Sequence, residues 1–226
     1  MLRSAYISRL HSMDWGNHSD TSDLIATLLD CGTDWLVPAA NEISVKINGA
    51  EYDVKMDDYM GEFRINLPEG GNVEISKGNF PAWGGVFSKS NDSIQTIEAF
   101  ETDKLKITRT IEGEMKVGAK VTLKLSIKAS QDLDYVVVRQ PRCAAFEPQN
   151  QLPSTLWLGH LVAYREPCSS ETNWYFNRIT KGETIISETF YVTAQGTFAL
   201  APAEVQSQYA PEFKAHSTGR EISISE

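Results

Sequence analysis

The sequence predicts a mainly β protein, an antiparallel β-sandwich preceded by a smaller β region and a short N-terminal helix. From residue 37 onward, apolar and polar side chains alternate in many short runs, which is typical of strands with one buried face. Gly, Pro, Asn or Asp separates most of these runs. Many short strands with turn signals at roughly 8–12-residue spacing indicate a sandwich or a barrel.

The N-terminal region predicts one helix, over residues 20–31. Apolar side chains recur at helical spacing between Leu24 and Leu29. The preceding residues 19–23 offer N-cap oxygens and carboxylates for the first turn. Gly32 follows as the expected C-cap. A single helix has too little apolar surface to stand alone, so it must dock against something else.

The first predicted hairpin comes next. Residues 43–47 alternate between apolar and polar side chains, and Asn48 and Gly49 supply a two-residue turn with positive φ. The partner strand is predicted at residues 52–54. Further strands are predicted over residues 62–67, 72–76, 81–88, 94–99, 104–112, 120–129, 133–139, 160–165, 172–178, 184–193 and 220–225.

A polar stretch, residues 89–103, separates two zones that are rich in predicted strands. The zone after it, residues 104–226, is long enough for a complete sandwich, which needs roughly 100 residues. The zone before it has too few strands for a complete sandwich. The sequence therefore predicts a domain boundary within the polar stretch.

Composition excludes several classes of function. Of 226 residues, 41% are hydrophobic and 23% are charged, and 30 Asp and Glu outnumber 21 Lys and Arg to give a net charge of −9. This acidic balance argues against binding to nucleic acid or to an anionic membrane surface, both of which need basic patches. No apolar run approaches the ~18 residues of a membrane-spanning helix. Charged side chains such as Arg3 and Arg9 stand where an export signal would be apolar.

Motifs that carry chemistry are not found, so no catalytic, cofactor-binding or metal-binding residue is predicted. The three cysteines form no CxxC pair, and the four histidines do not fall at metal-ligand spacing. Cys31 precedes Gly32 as in an internal thioester, but the sequence continues to Asp34 without the required glutamine. A hydrolase with two carboxylates in one cleft is a third and weaker class, because acidic residues are common throughout.

A group of aromatic residues leaves two interpretations open. Its members are Trp157, Tyr164, Trp174, Tyr175 and Phe176. They could form a stacking platform for sugar rings, which makes a carbohydrate-binding sandwich the alternative function. Strand alternation instead sends Trp174 and Phe176 to one face and Tyr175 to the other, as in a strand that faces the core. The core interpretation is favoured.

One segment near the C-terminus is more specific than strand propensity explains. Residues 208–217 read QYAPEFKAHS. This segment resembles the signature that closes the C-terminal domain of bacterial alpha-2-macroglobulin family proteins, especially the Bacteroidetes type. Residues 142–148 (RCAAFEP), 172–176 (TNWYF), 181–184 (KGET) and 107–118 resemble that domain in the same order.

The resemblance implies three regions. Residues 1–34 are expected to be a remnant of the thioester-type helical domain, because the stretch around Gly32 looks like the exit from it. Residues 35–100 are expected to form a partial CUB-like β region. Residues 101–226 are expected to form the C-terminal macroglobulin-like, immunoglobulin-like β-sandwich.

The same resemblance implies a function without catalysis or cofactor. The chain is expected to be a C-terminal structural and interaction module of a bacterial alpha-2-macroglobulin-like endopeptidase inhibitor, in the periplasm or cell envelope. Its expected partners are other domains of a larger parent protein, proteases, and a second copy through open sheet edges. A disulfide between Cys143 and Cys168 is left open, since the family is exported.

The C-terminal segment supplies the candidate partner contacts, which are Tyr209, Pro211, Glu212, Phe213 and His216. A second interpretation treats the segment as a structural crossover between strands, bent by Pro211 and anchored by Tyr209 and Phe213. This structural interpretation is favoured over direct partner contact.

Overall fold

A computed structural model of the chain describes residues 18–30, 43–57, 60–67, 70–78, 85–87, 89 and 91–226. Compactness divides the chain into two units, one containing the described segments up to Lys89 and the other containing residues 91–226. All strand pairs between named strands are antiparallel. The predicted mainly β class with a short helix is confirmed.

The first unit contains the predicted helix, α1 (His18–Asp30). The prediction over residues 20–31 is confirmed to within two residues at each end. Within the helix, the Thr27 hydroxyl donates a hydrogen bond to the carbonyl of Asp23, 2.6 Å away. The expected C-cap at Gly32 lies outside the described residues.

The first unit also contains a three-stranded sheet and a separate two-stranded one. Its strands are β1 (Ile43–Ile47), β2 (Ala50–Tyr52), β3 (Met56–Asp57), β4 (Met60–Gly61) and β5 (Val73–Lys77). Strands β2, β1 and β5 pair in that order, and β3 pairs with β4. Asn48 and Gly49 have φ angles of 51° and 81°, which confirms the predicted two-residue turn.

Two predicted strands of the first unit fail or cannot be assessed. Residues 62–67 alternate in sequence but lie in no strand. Ile65 and Leu67 remain exposed there, because no neighbouring strand pairs with the segment. Alternation alone does not make a strand without a partner. Of the predicted strand 81–88, only residues 85–87 are described, and they are not in a strand.

The second unit is built from twelve strands. They are β6 (Leu105–Gly113), β7 (Lys120–Ala129), β8 (Leu133–Pro141), β9 (Phe146–Pro148), β10 (Ser154–Leu158), β11 (Leu161–Pro167), β12 (Glu171–Ile179), β13 (Gly182–Val192), β14 (Gly196–Leu200), β15 (Glu204–Ser207), β16 (Ala210–His216) and β17 (Arg220–Ile224). A six-stranded sheet has the order β10-β11-β12-β8-β15-β16, and a four-stranded sheet has the order β6-β7-β13-β9. Strands β14 and β17 form a separate pair.

The two larger sheets enclose the main core. Leu125 and Ile186 from the four-stranded sheet pack in one cluster with Val138, Trp174 and Val205 from the six-stranded sheet. A second cluster lies between the four-stranded sheet and the β14–β17 pair. Alternate residues of β7 serve both clusters from one face, because side chains two residues apart point the same way. The second unit is therefore a sandwich with an added strand pair.

The sequence predicts seven of the twelve strands in the second unit and makes one error before the first of them. Residues 94–99 are predicted as a strand, but Ile94–Thr96 form a 3-10 turn. The Thr96 hydroxyl donates to the Ser93 carbonyl at 2.8 Å, which favours a turn over an extended chain. The strands not predicted are β9, β10, β14, β15 and β16.

Candidate functional site

The candidate contact residues lie on the β15–β16 hairpin, at one edge of the six-stranded sheet. The pairing shifts within this hairpin: Ser207 pairs with Ala210, but Gln206 pairs with Lys214. Between these two pairs, β15 advances by one residue and β16 by four. Residues 211–213 of β16 therefore form a bulge. We call Tyr209, Pro211, Glu212, Phe213 and His216 the hairpin surface.

Tyr209 lies in the turn of the hairpin, and its side chain is 67% exposed. Its ring packs edge-on against the ring of Tyr135, with centroids 5.0 Å apart. Tyr135 has a φ of 52°, an unusual conformation for a bulky residue. The backbone N–H of Gln208 donates to the Tyr135 carbonyl at 2.8 Å. The turn is thus fixed to β8, while Tyr209 faces outward.

The bulge separates the roles of Glu212 and Phe213. The Glu212 side chain is exposed, whereas Phe213 is half-buried and packs against the main core. Phe213 therefore anchors the bulge, as predicted. The crossover interpretation is wrong, because the segment is itself the edge strand β16. A three-residue bulge lets a Pro-containing strand keep its pairing at both ends.

His216 ends the strand beside Phe100. The two residues exchange backbone hydrogen bonds of 2.9 and 3.0 Å, and their rings stack with centroids 5.8 Å apart. The Lys214 ammonium lies 6.0 Å from the centroid of the Phe100 ring. These contacts close the far end of β16, so the hairpin surface is held at its turn, its bulge and its end.

The hairpin surface brings together an exposed aromatic ring and an exposed carboxylate, with a half-buried histidine at its end. The Nδ1 atom of the His216 ring lies 3.1 Å from the backbone carbonyl oxygen of Ser217. Among the described residues, no group of three or more His, Cys, Asp or Glu side chains could hold a metal ion.

The predicted aromatic group divides between the core and the surface. Trp174 and Phe176 are buried and Tyr175 is exposed, which confirms the alternation argument. Trp157 is 75% exposed and lies directly across from Val162, while Tyr164 lies across from Tyr175 with ring centroids 6.2 Å apart. We call Trp157, Val162, Tyr164 and Tyr175 the aromatic face.

The Tyr175 hydroxyl on the aromatic face donates to a Glu166 oxygen 2.9 Å away. Burial raises the pKa of Tyr175, and the hydrogen bond to Glu166 raises it further. The phenol therefore stays protonated at neutral pH and acts as a donor. This pairing fixes the Tyr175 ring on the outer side of the six-stranded sheet.

A buried ion pair inside the sandwich was not predicted from the sequence. Arg165 on β11 and Glu188 on β13 belong to different sheets, and their side chains are only 3% and 4% exposed. The Arg165 Nε atom lies 3.0 Å from Glu188 Oε1, and the Thr172 hydroxyl donates to the same oxygen at 3.1 Å. Arg165 also donates to the carbonyls of Asn150 and Leu152. This cluster joins the two sheets to each other and to the loop that precedes β10.

A second buried arginine holds the loops near β15 and β17. Arg109 donates to the carbonyls of Ala201, Leu200 and Thr218. Burial, with a smaller contribution from Arg220, lowers the pKa of Arg109 to about 10. The guanidinium therefore remains charged at neutral pH. Its role is structural, because all three acceptors are backbone carbonyls.

Cys143 and Cys168 are free thiols in this structure. Cys143 is buried in the second core cluster, and burial raises the pKa of its thiol. Cys168 is half-buried in the connection between β11 and β12, where its sulfur lies 3.6 Å from the Asn173 amide nitrogen. The Cys143–Cys168 disulfide, which the sequence leaves open, is therefore not formed in this structure. Cys31 lies outside the described residues.

Comparison with known protein families decides which sandwich this is. The model of the bacterial alpha-2-macroglobulin MG10 domain matches residues 93–212. The chain belongs to the bacterial alpha-2-macroglobulin MG10 domain family. The match covers most of the second unit and reaches into the hairpin surface. The predicted bacterial alpha-2-macroglobulin family is confirmed, and the sandwich is a macroglobulin-like module. The Bacteroidetes type stays a prediction.

Solved structures of bacterial alpha-2-macroglobulins share the fold of this module. Trypsin-activated alpha-2-macroglobulin from Escherichia coli aligns over 99% of this chain and 17% of its own length, at 13% identity and a TM-score of 0.51. The E. coli protein activated by porcine elastase aligns over 93% and 20%, at 14% identity and a TM-score of 0.51. Methylamine-reacted Salmonella alpha-2-macroglobulin aligns over 93% and 16%, at 14% identity and a TM-score of 0.50.

The chain spans only a small part of these proteins, 23% and 10% of the length of two further E. coli alpha-2-macroglobulin structures. At these identities the likeness shows the fold alone. No curated protein matches the chain in sequence. In the part of the chain that the structure describes, no helix is long and apolar enough to cross a membrane.

Proposed function

We propose that this chain is a non-catalytic structural and interaction module of a bacterial alpha-2-macroglobulin-like protease inhibitor. The observation that carries the proposal is the family match over residues 93–212, which contains most of the sandwich. In this proposal the module works within a larger polypeptide at the cell envelope. The hairpin surface contacts a neighbouring domain, and the core of the sandwich keeps that surface in place.

The geometry of the hairpin supports this role. A contact surface needs exposed groups on a backbone that does not move, because ordering a loop on binding costs free energy. Tyr209 and Glu212 are exposed, while the backbone around them is held to Tyr135 at the turn and to Phe100 at the far end. Exposed aromatic residues on a fixed backbone are common at the centre of protein interfaces.

The test uses the longest polypeptide in which this chain occurs. Trypsin and elastase activity is measured on a protein-sized substrate and on a small peptide substrate, with and without that polypeptide. An inhibitor that encloses the protease blocks the large substrate more than the small one. We expect Tyr209→Ala combined with Glu212→Gln to reduce this difference. The matched control is Tyr191→Ala, an exposed aromatic residue on β13.

Two results would contradict the proposal. One is a double variant that discriminates between large and small substrates as well as the unchanged protein does. The other is hydrolysis of a substrate by the purified chain itself. Thermal unfolding of each variant checks that the sandwich is intact, since the substituted side chains are exposed.

A second candidate function is supported by the aromatic face. Sugar rings stack their apolar faces on exposed aromatic rings, and Trp157, Tyr164 and Tyr175 offer three such rings on one side of a sheet. A carbohydrate-binding module would retain polysaccharide in a pull-down and lose it on Trp157→Ala but not on Tyr191→Ala. If the unchanged chain retains no polysaccharide, this candidate is removed.

A further inference from the structure

The strand β10 (Ser154–Leu158) forms an open edge of the six-stranded sheet. It pairs on one side with β11, and no described strand pairs with its other side. An open edge leaves a row of backbone N–H and C=O groups available for another strand. We propose that β10 pairs with the β10 strand of a second copy of this chain, in antiparallel orientation, to join the two six-stranded sheets.

The open edge at β10 lacks charged side chains. Proteins usually protect sheet edges with charged side chains, prolines or very short strands. At the other edges of the two larger sheets, β16 contains Glu212 and Lys214, β6 contains three charged side chains, and β9 is short and contains Pro148. Residues 148–159, which include β10, contain no charged side chain in a chain of net charge −9. Two copies can therefore meet at this edge without direct repulsion between like charges.

The hairpin geometry determines which backbone groups of β10 face the open side. β10 and β11 are joined by the two-residue turn Gly159–His160, in which Gly159 has a φ of 66°. In such a hairpin the flanking pair, Leu158 and Leu161, exchanges backbone hydrogen bonds, and the bonding alternates along the strands. The amide and carbonyl groups of Thr155 and Trp157 therefore point to the open edge.

Strand β10 is complementary to a second copy of itself in antiparallel pairing. With a two-fold axis at Leu156, Thr155 of each copy lies opposite Trp157 of the other. These are the residues whose backbone groups face outward, so the pairing forms about four backbone hydrogen bonds, two for each exchanged pair. The outward-facing residues stay outward and the half-buried residues stay inward, since the axis is perpendicular to the sheet.

The pairing also covers the most exposed part of the aromatic face. Trp157 of one copy lies beside Thr155 of the other copy. Within that copy, Thr155 pairs with Tyr164 on the adjacent strand β11. The two aromatic faces then become continuous across the joined edge. This inference does not depend on the proposed inhibitor role.

The test measures association of the intact chain by sedimentation velocity over a range of concentrations. We expect reversible dimerisation. Thr155→Lys combined with Trp157→Lys places lysine opposite lysine twice in the pair, which should raise the dimer dissociation constant by about tenfold. Thr155→Glu combined with Trp157→Lys places glutamate opposite lysine instead and should restore dimerisation. Ile185→Lys, on the other sheet, is the control and should have no effect.

A crosslink provides an independent measurement. In this register Leu156 lies directly opposite itself in a non-hydrogen-bonded pair, where Cα atoms are about 4.5 Å apart and a disulfide can form. Oxidised Leu156→Cys should give a dimer joined at position 156, identified by peptide mass spectrometry. Leu158→Cys, which faces Ser154 of the other copy, should give no such product.

Three outcomes would overturn the inference. The first is a chain that stays monomeric up to about millimolar concentration. The second is association that persists unchanged in the double lysine variant, which would locate the interface elsewhere. The third is a dimer with no crosslink through position 156. Circular dichroism of every variant excludes loss of folding as the cause.

Discussion

The Arg165–Glu188 pair is a buried ion pair between the two sheets of the sandwich. Removing one member of a buried ion pair leaves the other charge without compensation, at a cost of about 3–5 kcal/mol. We expect Glu188→Gln to lower the free energy of unfolding by an amount of that order, measured by urea denaturation. The change also weakens the Thr172 hydroxyl contact with the same oxygen.

The control for this prediction is a pair at the surface. Lys124 lies 2.7 Å from Glu112, and both side chains are substantially exposed. Exposed pairs contribute about 0–1 kcal/mol, so Glu112→Gln should change the unfolding free energy little. Equal effects of the two substitutions would show that the buried pair has no special role.

The two described cysteines should differ in reactivity. Cys143 is buried and its pKa is raised, so little thiolate forms at neutral pH, and alkylation needs the thiolate. Cys168 is half-buried and should react first with iodoacetamide in the native protein. Labelled peptides, separated by mass spectrometry, identify each site independently of Cys31. Urea should abolish the difference in labelling between the two cysteines.

The sequence predicts whether a side chain faces the core or the surface where this depends on a single strand. Alternation alone assigned Trp174 and Phe176 to the core and Tyr175 to the surface, because the period of two is a local property. It could not find the Arg165–Glu188 pair. Those residues are separated by 23 positions and belong to different sheets, so their contact follows from the packing of the sheets rather than from either strand.

At the scale of elements, the end of β6, where the chain turns toward β7, requires glycine at Gly113. Its φ is 119°, and an added Cβ would lie 2.5 Å from the Lys120 carbonyl oxygen. Gly113→Ala should therefore lower stability by about 1–3 kcal/mol or more, since both backbone strain and a clash are introduced. Gly118 also has a positive φ, of 84°, but its added Cβ would meet nothing within 4 Å.

Gly118→Ala is thus the matched control, because it tests the cost of the backbone conformation without the clash. We expect it to be less destabilising than Gly113→Ala in thermal and chemical denaturation. If the two substitutions cost the same, the close approach of β6 to β7 at this point is not a constraint.

Strand β16 shows why a strand can escape prediction from the sequence. Long strands such as β7 and β13 carry enough alternating residues to be found locally. Strand β16 contains Pro211 and a three-residue bulge, which interrupts the alternation that a prediction needs. The QYAPEFKAHS motif identified the family from the same residues, although their strand state depends on pairing with β15.

At the scale of the whole molecule, the described side chains of the two units differ in how many of them are buried and apolar. Among the side chains described before residue 91, Ile47 is the one buried hydrophobic group, while Ile75 of the same sheet is 57% exposed. The second unit has two core clusters. Backbone groups with few buried apolar neighbours open more easily than those in a dense core.

Hydrogen exchange should therefore separate the units. We expect amides in β7 and β13 to exchange only through global unfolding, whereas amides in β1 and β5 should exchange at least about a hundredfold faster through local opening. The measurement is native-state exchange by mass spectrometry at several urea concentrations. The exchange rates in β1 should remain insensitive to Glu188→Gln, since that substitution acts in the other unit. Equal protection in β1 and β7, falling together in that variant, would mean that the two units unfold as one.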